Sequence, residues 1–126
     1  MPQWKTDRDS EVDYNALYAG LDHIVERFSH LEQAKTLARV VVEEVSNIVQ
    51  HDLDWSEIKV NMEYSNQADN IKIVIIHDGT YFEPEDTNIT NVIGSKDMFQ
   101  EYSRELEIGA DVRIRLQVKP GESKDV

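Results

Sequence analysis

Three polar residues, Glu43, Asn47 and His51, recur every four positions in the segment AKTLARVVVEEVSNIVQH, residues 34–51. On a helix this spacing places them in one slanting row, so a carboxylate, an amide and an imidazole are presented together. The carboxylate and the amide are one helical turn apart, so the carboxylate is close enough to act on a nucleophile bound beside the amide. The row could therefore take part in a reaction. On an arbitrary helix such a row is more often only a solvent-exposed polar face. Features elsewhere in the sequence are needed to decide between a functional row and an exposed polar face.

The same segment carries an apolar arc that predicts a packed helix. At about 100° per residue the arc is continuous and consists of Leu37, Ala38, Val41, Val42, Val45, Ile48 and Val49. The polar row lies outside this arc, together with Val40. One face of the helix is therefore expected to seal a core while another presents the row.

The other elements follow from hydrophobic periodicity. Residues 3–6 are a candidate strand, and apolar residues at helical spacing predict a first helix around 17–28. Alternation predicts strands over 58–64 and 71–76 as an antiparallel hairpin, with the second strand central and covered on both faces. Residues 98–106 are predicted as a short helix, and 112–118 as a last strand with a basic outer face.

These elements predict an α/β (α+β) two-layer sandwich with a mostly antiparallel sheet covered by helices on one face. In its core, Val41, Val45 and Ile48 are expected to pack against the sheet residues Ile58, Val60, Ile73, Ile75 and Ile114. The length of 126 residues suits one domain, 1–126, with a disordered tail at 120–126.

Composition limits the function classes. The chain has 13 basic and 25 acidic residues, a formal charge of −12, so its surface would repel nucleic acid and anionic membrane, while a protein partner with a basic patch is compatible. It has no cysteine, which excludes disulfides and thiolate chemistry. No apolar run is long enough for a membrane span and no signal peptide is recognisable, so a cytoplasmic location is expected.

The order of elements, with the polar row on the long helix and an Asp-Gly turn after the central strand, resembles the anti-sigma-factor serine/threonine kinases. These belong to the GHKL superfamily of gyrase-, histidine-kinase- and mismatch-repair-type ATPases, which share the Bergerat fold. The resemblance rests mainly on VVVEEVSNIVQH (40–51) and VIIHDGTYFEP (74–84). The family motifs read roughly E-x-x-x-N-x-x-x-H on the helix and D-x-G-x-G-F-x-P after the strand.

The resemblance implies ATP and magnesium as cofactors and a role for each matching residue. Glu43 would orient or deprotonate the attacking hydroxyl and is the implied catalytic residue. Asn47 would hold magnesium against the triphosphate, a role that suits an amide oxygen because magnesium prefers oxygen ligands. His51 would lie near the phosphates, and His77, Asp78 and Gly79 would stand at the nucleotide-binding turn.

The second motif departs from the family pattern. With Gly79 aligned, His77 stands where the family has its adenine-binding aspartate, and Tyr81 replaces the second glycine. Two arrangements are open: a bulge before Gly79 could turn Asp78 to the adenine position, or His77 faces the Glu43/Asn47 row and nucleotide binding is weak or absent. Only Gly94 lies between Gly79 and Gly109, so the phosphate-binding loop lacks the family's glycines.

Two alternative functions are therefore open for this chain. The first is a regulatory kinase of the partner-switching type, which binds ATP-Mg and a protein partner, either a sigma factor or an antagonist domain. The second is a protein-interaction module that keeps the fold and has lost ATP binding. Relatives of this type often pair, so a homodimer is also possible for this chain.

Overall fold

The computed structural model describes residues 3–51, 54–81, 99–107 and 111–118. They form one five-stranded antiparallel sheet and two α-helices. In chain order the elements are β1 (Gln3–Asp7), α1 (Tyr14–Arg27), α2 (Glu32–His51), β2 (Glu57–Ser65), β3 (Asn70–His77), β4 (Phe99–Leu106) and β5 (Val112–Val118). The predicted α+β class with an antiparallel sheet is confirmed, whereas the Bergerat fold itself stays a prediction.

The sheet has the strand order β1-β2-β3-β5-β4, so β3 is the central strand, as predicted. Inward and outward residues alternate along β2, β3 and β5, which is the pattern of strands packed on one side only. On β3 the inward residues are buried, but the outward residues Lys72, Val74 and Ile76 are only half-buried. The prediction that β3 is covered on both faces is wrong for this reason.

The two helices pack on the inward face of the sheet. Asp13 caps α1 by accepting a hydrogen bond from the Ala16 N–H at 3.1 Å, and α1 buries Leu17, Leu21 and Ile24. Helix α2 contacts α1, β3 and β5. All eight predicted core residues are fully buried in one apolar cluster, which confirms the predicted core: Val41, Val45, Ile48, Ile58, Val60, Ile73, Ile75 and Ile114.

The short helix predicted at 98–106 is wrong. Residues Phe99–Leu106 form β4, which pairs antiparallel with β5 and carries an irregularity between Phe99 and Glu101. The segment FQEYSREL is rich in helix-permissive residues, but propensity is a weak guide where a neighbouring strand offers a complete hydrogen-bonding partner.

None of the described helices is long and apolar enough to cross a membrane. The tail predicted to be disordered, 120–126, lies outside the described residues.

Candidate functional site

The polar row of α2 lies at the margin of the helix's buried face. Asn47 is only 5% exposed, and its side-chain N–H donates to the backbone carbonyl of Glu43 at 2.8 Å. Val40, which was expected beside the row and outside the packed arc, is fully buried. The buried face of α2 therefore reaches further towards the row than the apolar arc indicated, and the row is not a solvated polar face at Asn47.

Glu43 is half-buried, and one of its carboxylate oxygens, Oε2, is shielded from solvent. No hydrogen bond reaches this oxygen within the part of the chain that the structure describes. A buried carboxylate oxygen without a donor is unfavourable, so this atom would gain from any N–H or O–H group brought to it.

His51 is the last residue of α2. Its side chain lies outside what the structure describes, so its expected place near a phosphate stays a prediction.

At the end of β3 the chain places His77 on the helix-covered side. Its side chain is 2% exposed, and its strand neighbours are the inward residues Ile58 and Val112. The pairing of β2 with β3 runs without a register shift up to Ile58 and His77. No bulge therefore precedes Gly79 to turn the next residue inward.

Asp78 points away from that side and caps the start of β2. Its carboxylate accepts hydrogen bonds from the Ser56 N–H at 2.8 Å, the Glu57 N–H at 3.2 Å and the Ser56 hydroxyl. Burial acts to raise the pKa of this carboxyl, but the hydrogen bonds from Ser56 and Glu57 together outweigh it and hold the pKa below its ordinary value. Asp78 is thus a charged structural cap at this corner of the sheet.

The tautomer of His77 follows from its contact with Gly79. The Gly79 N–H donates to Nδ1 of His77 at 3.1 Å, and a backbone amide can only donate. Nδ1 is therefore unprotonated, and in the neutral ring the hydrogen sits on Nε2. The second nitrogen of His77 is then a donor.

These contacts do not fit the adenine end of ATP. The exocyclic amino group of adenine is a donor and requires an acceptor, which the family supplies with an aspartate. His77 offers its acceptor nitrogen to Gly79, and Asp78 offers its oxygens to Ser56 and Glu57. The α2 end of the candidate site is better suited to a magnesium ion, because the side chains of Glu43 and Asn47 carry oxygen atoms of the type that magnesium binds.

Sequence reasoning missed a buried cluster that joins α2 to β4. Glu44 is fully buried, and its carboxylate accepts hydrogen bonds from the Tyr102 hydroxyl and the Arg104 guanidinium. The Arg104 side chain is 5% exposed, so the pair is a buried salt bridge. Burial first, and the Glu44 carboxylate second, raise the pKa of Tyr102 far above its ordinary value, so the phenol remains a donor.

A signal for this cluster existed in the sequence. Glu44 stands three residues after Val41 and directly before Val45, at a helix position that falls on the packed side. An acid at such a position requires a buried cation or donor. The sequence does not identify its partners, because a helix at 98–106 places Tyr102 and Arg104 on different faces from those they occupy in strand β4.

Among the described residues, no group of three or more His, Asp or Glu side chains is arranged to hold a metal ion. Comparison of the chain with protein-family models, with curated proteins and with solved structures found no match in any of the three.

Proposed function

We propose that this protein is a regulatory protein-binding module of the anti-sigma-factor kinase type that binds its partner without using ATP. The observation that carries the proposal is the end of β3, where His77 faces the helix-covered side with its acceptor nitrogen already bonded, and Asp78 caps β2. The acceptor nitrogen of His77 is therefore engaged, and the carboxylate of Asp78 is directed to the start of β2 and away from the helix-covered side. The scarcity of glycine between Gly79 and Gly109 supports the same conclusion for the phosphates.

The partner in this proposal is a protein of a partner-switching pathway, either a sigma factor or its antagonist domain. A binding module needs a stable frame, and the buried Glu44–Arg104 pair ties α2 to the edge strand β4. A homodimer is compatible with this proposal.

Calorimetric titration of the full chain with ATP or ADP and magnesium tests the proposal. We expect no saturable heat of binding up to about 1 mM nucleotide. A Kd of about 1 mM corresponds to a binding free energy of only about −4 kcal/mol. The double change His77→Asp/Asp78→Asn restores an acceptor on the helix-covered side and is expected to raise nucleotide affinity. Tight magnesium-dependent binding by the unmodified chain, lost in Asn47→Ala, would contradict the proposal.

A second candidate function, an ATP-dependent protein serine kinase, is favoured by Glu43, whose buried Oε2 has no donor among the described residues. In that case Glu43→Gln keeps the shape of the side chain and removes its basicity, so nucleotide affinity stays and phosphoryl transfer is lost. Transfer of labelled phosphate to an antagonist domain measures this. Equal transfer by the unmodified chain and by Glu43→Gln would remove Glu43 from the mechanism.

A further inference from the structure

The turn after β3 contains the one Asp-Gly dipeptide of the sequence, Asp78-Gly79. In such a dipeptide the main-chain nitrogen of the glycine can attack the side-chain carboxyl group of the aspartate. Glycine favours this reaction because it has no Cβ to hinder the approach and its backbone reaches conformations that other residues avoid. Asp78 is exposed and Gly79 is half-buried, so water has access to the turn. The dipeptide is therefore the place to look for spontaneous modification of the chain.

The reaction has two steps and needs no reactant besides water. In the first step the Gly79 nitrogen bonds to Cγ of Asp78, and a water molecule leaves with one carboxyl oxygen, the carboxyl proton and the amide proton. The product is a five-membered succinimide ring. In the second step water opens the ring at either of its carbonyl groups. Opening at the main-chain carbonyl leaves Gly79 linked through Cγ, and residue 78 is then an isoaspartate.

The folded chain engages the carboxyl group of Asp78 from the side of β2. It accepts hydrogen bonds from the Ser56 N–H at 2.8 Å, from the Glu57 N–H at 3.2 Å and from the Ser56 hydroxyl. Burial acts to raise the pKa of Asp78, but these hydrogen bonds outweigh it and hold the pKa below its ordinary value. Ring closure requires the neutral acid, because a carboxylate has no hydroxyl group to lose. The reactive form of Asp78 is therefore scarce at neutral pH.

The attacking nitrogen is engaged as well, by a contact on the other side of the chain. The Gly79 N–H donates to Nδ1 of His77 at 3.1 Å, and the His77 side chain is only 2% exposed on the helix-covered side. The carboxylate of Asp78 is anchored instead at the start of β2. Bringing the nitrogen to bonding distance of Cγ therefore requires that contacts on both sides be broken.

We propose that Asp78-Gly79 is a latent isoaspartate site, at which ring closure is blocked in the folded chain because both reacting groups are held by hydrogen bonds to other residues. The contacts that cap β2 are thus also the contacts that protect the turn. An isoaspartate adds one carbon to the main chain, which withdraws the carboxylate from Ser56 and Glu57. The inference holds with or without a nucleotide or a protein partner, because it concerns only the turn.

Comparison of the folded chain with a synthetic peptide of residues 74–81 tests the inference. Both are incubated for several weeks at neutral pH and physiological temperature, and chromatographic peptide mapping with mass spectrometry separates aspartate from isoaspartate at position 78. The peptide lacks Ser56 and Glu57, so we expect it to isomerise at least about tenfold faster than the folded chain. The full chain unfolded in urea is expected to react at the rate of the peptide.

A matched pair of variants separates the cap from general stability. Ser56→Ala removes one donor to Asp78 and is expected to raise the rate in the folded chain by about threefold or more. The control, Ser103→Ala, removes a hydroxyl that donates to Glu101 on β4, and it is expected to isomerise at the unmodified rate. Gly79→Ala in the free peptide is expected to slow ring closure, which assigns the product to this dipeptide. Amide spectra establish that each full-length variant is folded.

Equal rates in the folded chain, the urea-unfolded chain and the free peptide would overturn the inference, and this comparison needs no variant. An unchanged rate in a folded Ser56→Ala chain would overturn it too, as would equal acceleration by Ser56→Ala and Ser103→Ala. A free peptide that forms no isoaspartate over the same period would remove the site altogether.

Discussion

Two adjacent glutamates in α2 have opposite environments. Glu44 is fully buried and accepts hydrogen bonds from Tyr102 and Arg104, whereas Glu43 is half-buried with one oxygen that no described residue reaches. Neighbouring helical residues differ in direction by about 100°, which is enough to separate the two roles. Glu44 therefore links α2 to β4, and Glu43 is the carboxylate that can still accept a hydrogen bond.

Replacing Arg104 by methionine is expected to be strongly destabilising. The change leaves the Glu44 carboxylate buried without its cation, and breaking a buried pair in this way costs about 3–5 kcal/mol. Urea denaturation measures the loss. The double change Glu44→Gln/Arg104→Met is expected to recover part of it, because no charge is then left buried.

Arg115→Met is the matched control for Arg104→Met, since Arg115 forms exposed pairs with Glu105 and Glu107. It is expected to change the free energy of unfolding by less than about 1 kcal/mol. Similar losses in the two single variants would contradict the assignment of Glu44–Arg104 as a buried structural pair.

Asp78 gives stability a pH dependence with a defined sign. Its folded-state pKa is lowered, so its contribution is fully present above the unfolded-state pKa of about 3.9 and is lost as pH falls through the folded-state value. Asp78→Asn is expected to cost about 1 kcal/mol at pH 7, a small value because the carboxylate is largely exposed. The difference from the unmodified chain should shrink below about pH 4.

Denaturant titrations between pH 7 and pH 3 follow this difference. Asp22→Asn, at an exposed position on α1, is the control and should show little change over the same range. A cost of Asp78→Asn that remains constant down to pH 3 would show that the charge of Asp78 does not stabilise the start of β2.

Helix α2 is the element that connects the core with the candidate site. Its fully buried residues include Val41, Val45 and Ile48, and its buried face extends to Glu44 and Asn47. The helix contacts the two strands β3 and β5, one of which ends in His77. Any shift of α2 would therefore move the polar row relative to the end of β3.

Val45→Asp is expected to cost more than about 3 kcal/mol, because it places an unpaired charge in the layer between α2 and the sheet. Thermal or urea unfolding measures the effect. Gln50→Asp, at an exposed position of the same helix, is the control and should stay within about 0.5 kcal/mol. A Val45→Asp variant that melts within a degree or two of the unmodified chain would refute this core.

Taken as one body, the described chain has two different sides. One side of the sheet is sealed by α1 and α2 over an apolar core, and the other carries the half-buried Val74 and Ile76 among charged and polar residues. On that second side the cations Lys59, Arg113 and Arg115 are paired with glutamates, so basic and acidic side chains are mixed there.

The hydrophobic pattern within single segments was sufficient to predict much of this fold. Strands β2, β3 and β5, both helices and the core around Val45 follow from hydrophobic periodicity, because burial on one face imposes a period of about 2 or 3.6 residues on the sequence. The basic outer face of β5 was also predictable, since alternation assigns Arg113 and Arg115 to the side opposite Ile114.

Other features depend on contacts between distant segments. Strand β4 forms because β5 pairs with it and because Glu44, about 60 positions earlier, binds Tyr102 and Arg104. The orientation of His77 and Asp78 likewise required the uninterrupted β2–β3 register and the donors at Ser56 and Glu57. Periodicity within a segment shows which of its faces is buried, but it does not show which distant segment packs there. These pairings could therefore be identified only from the tertiary structure.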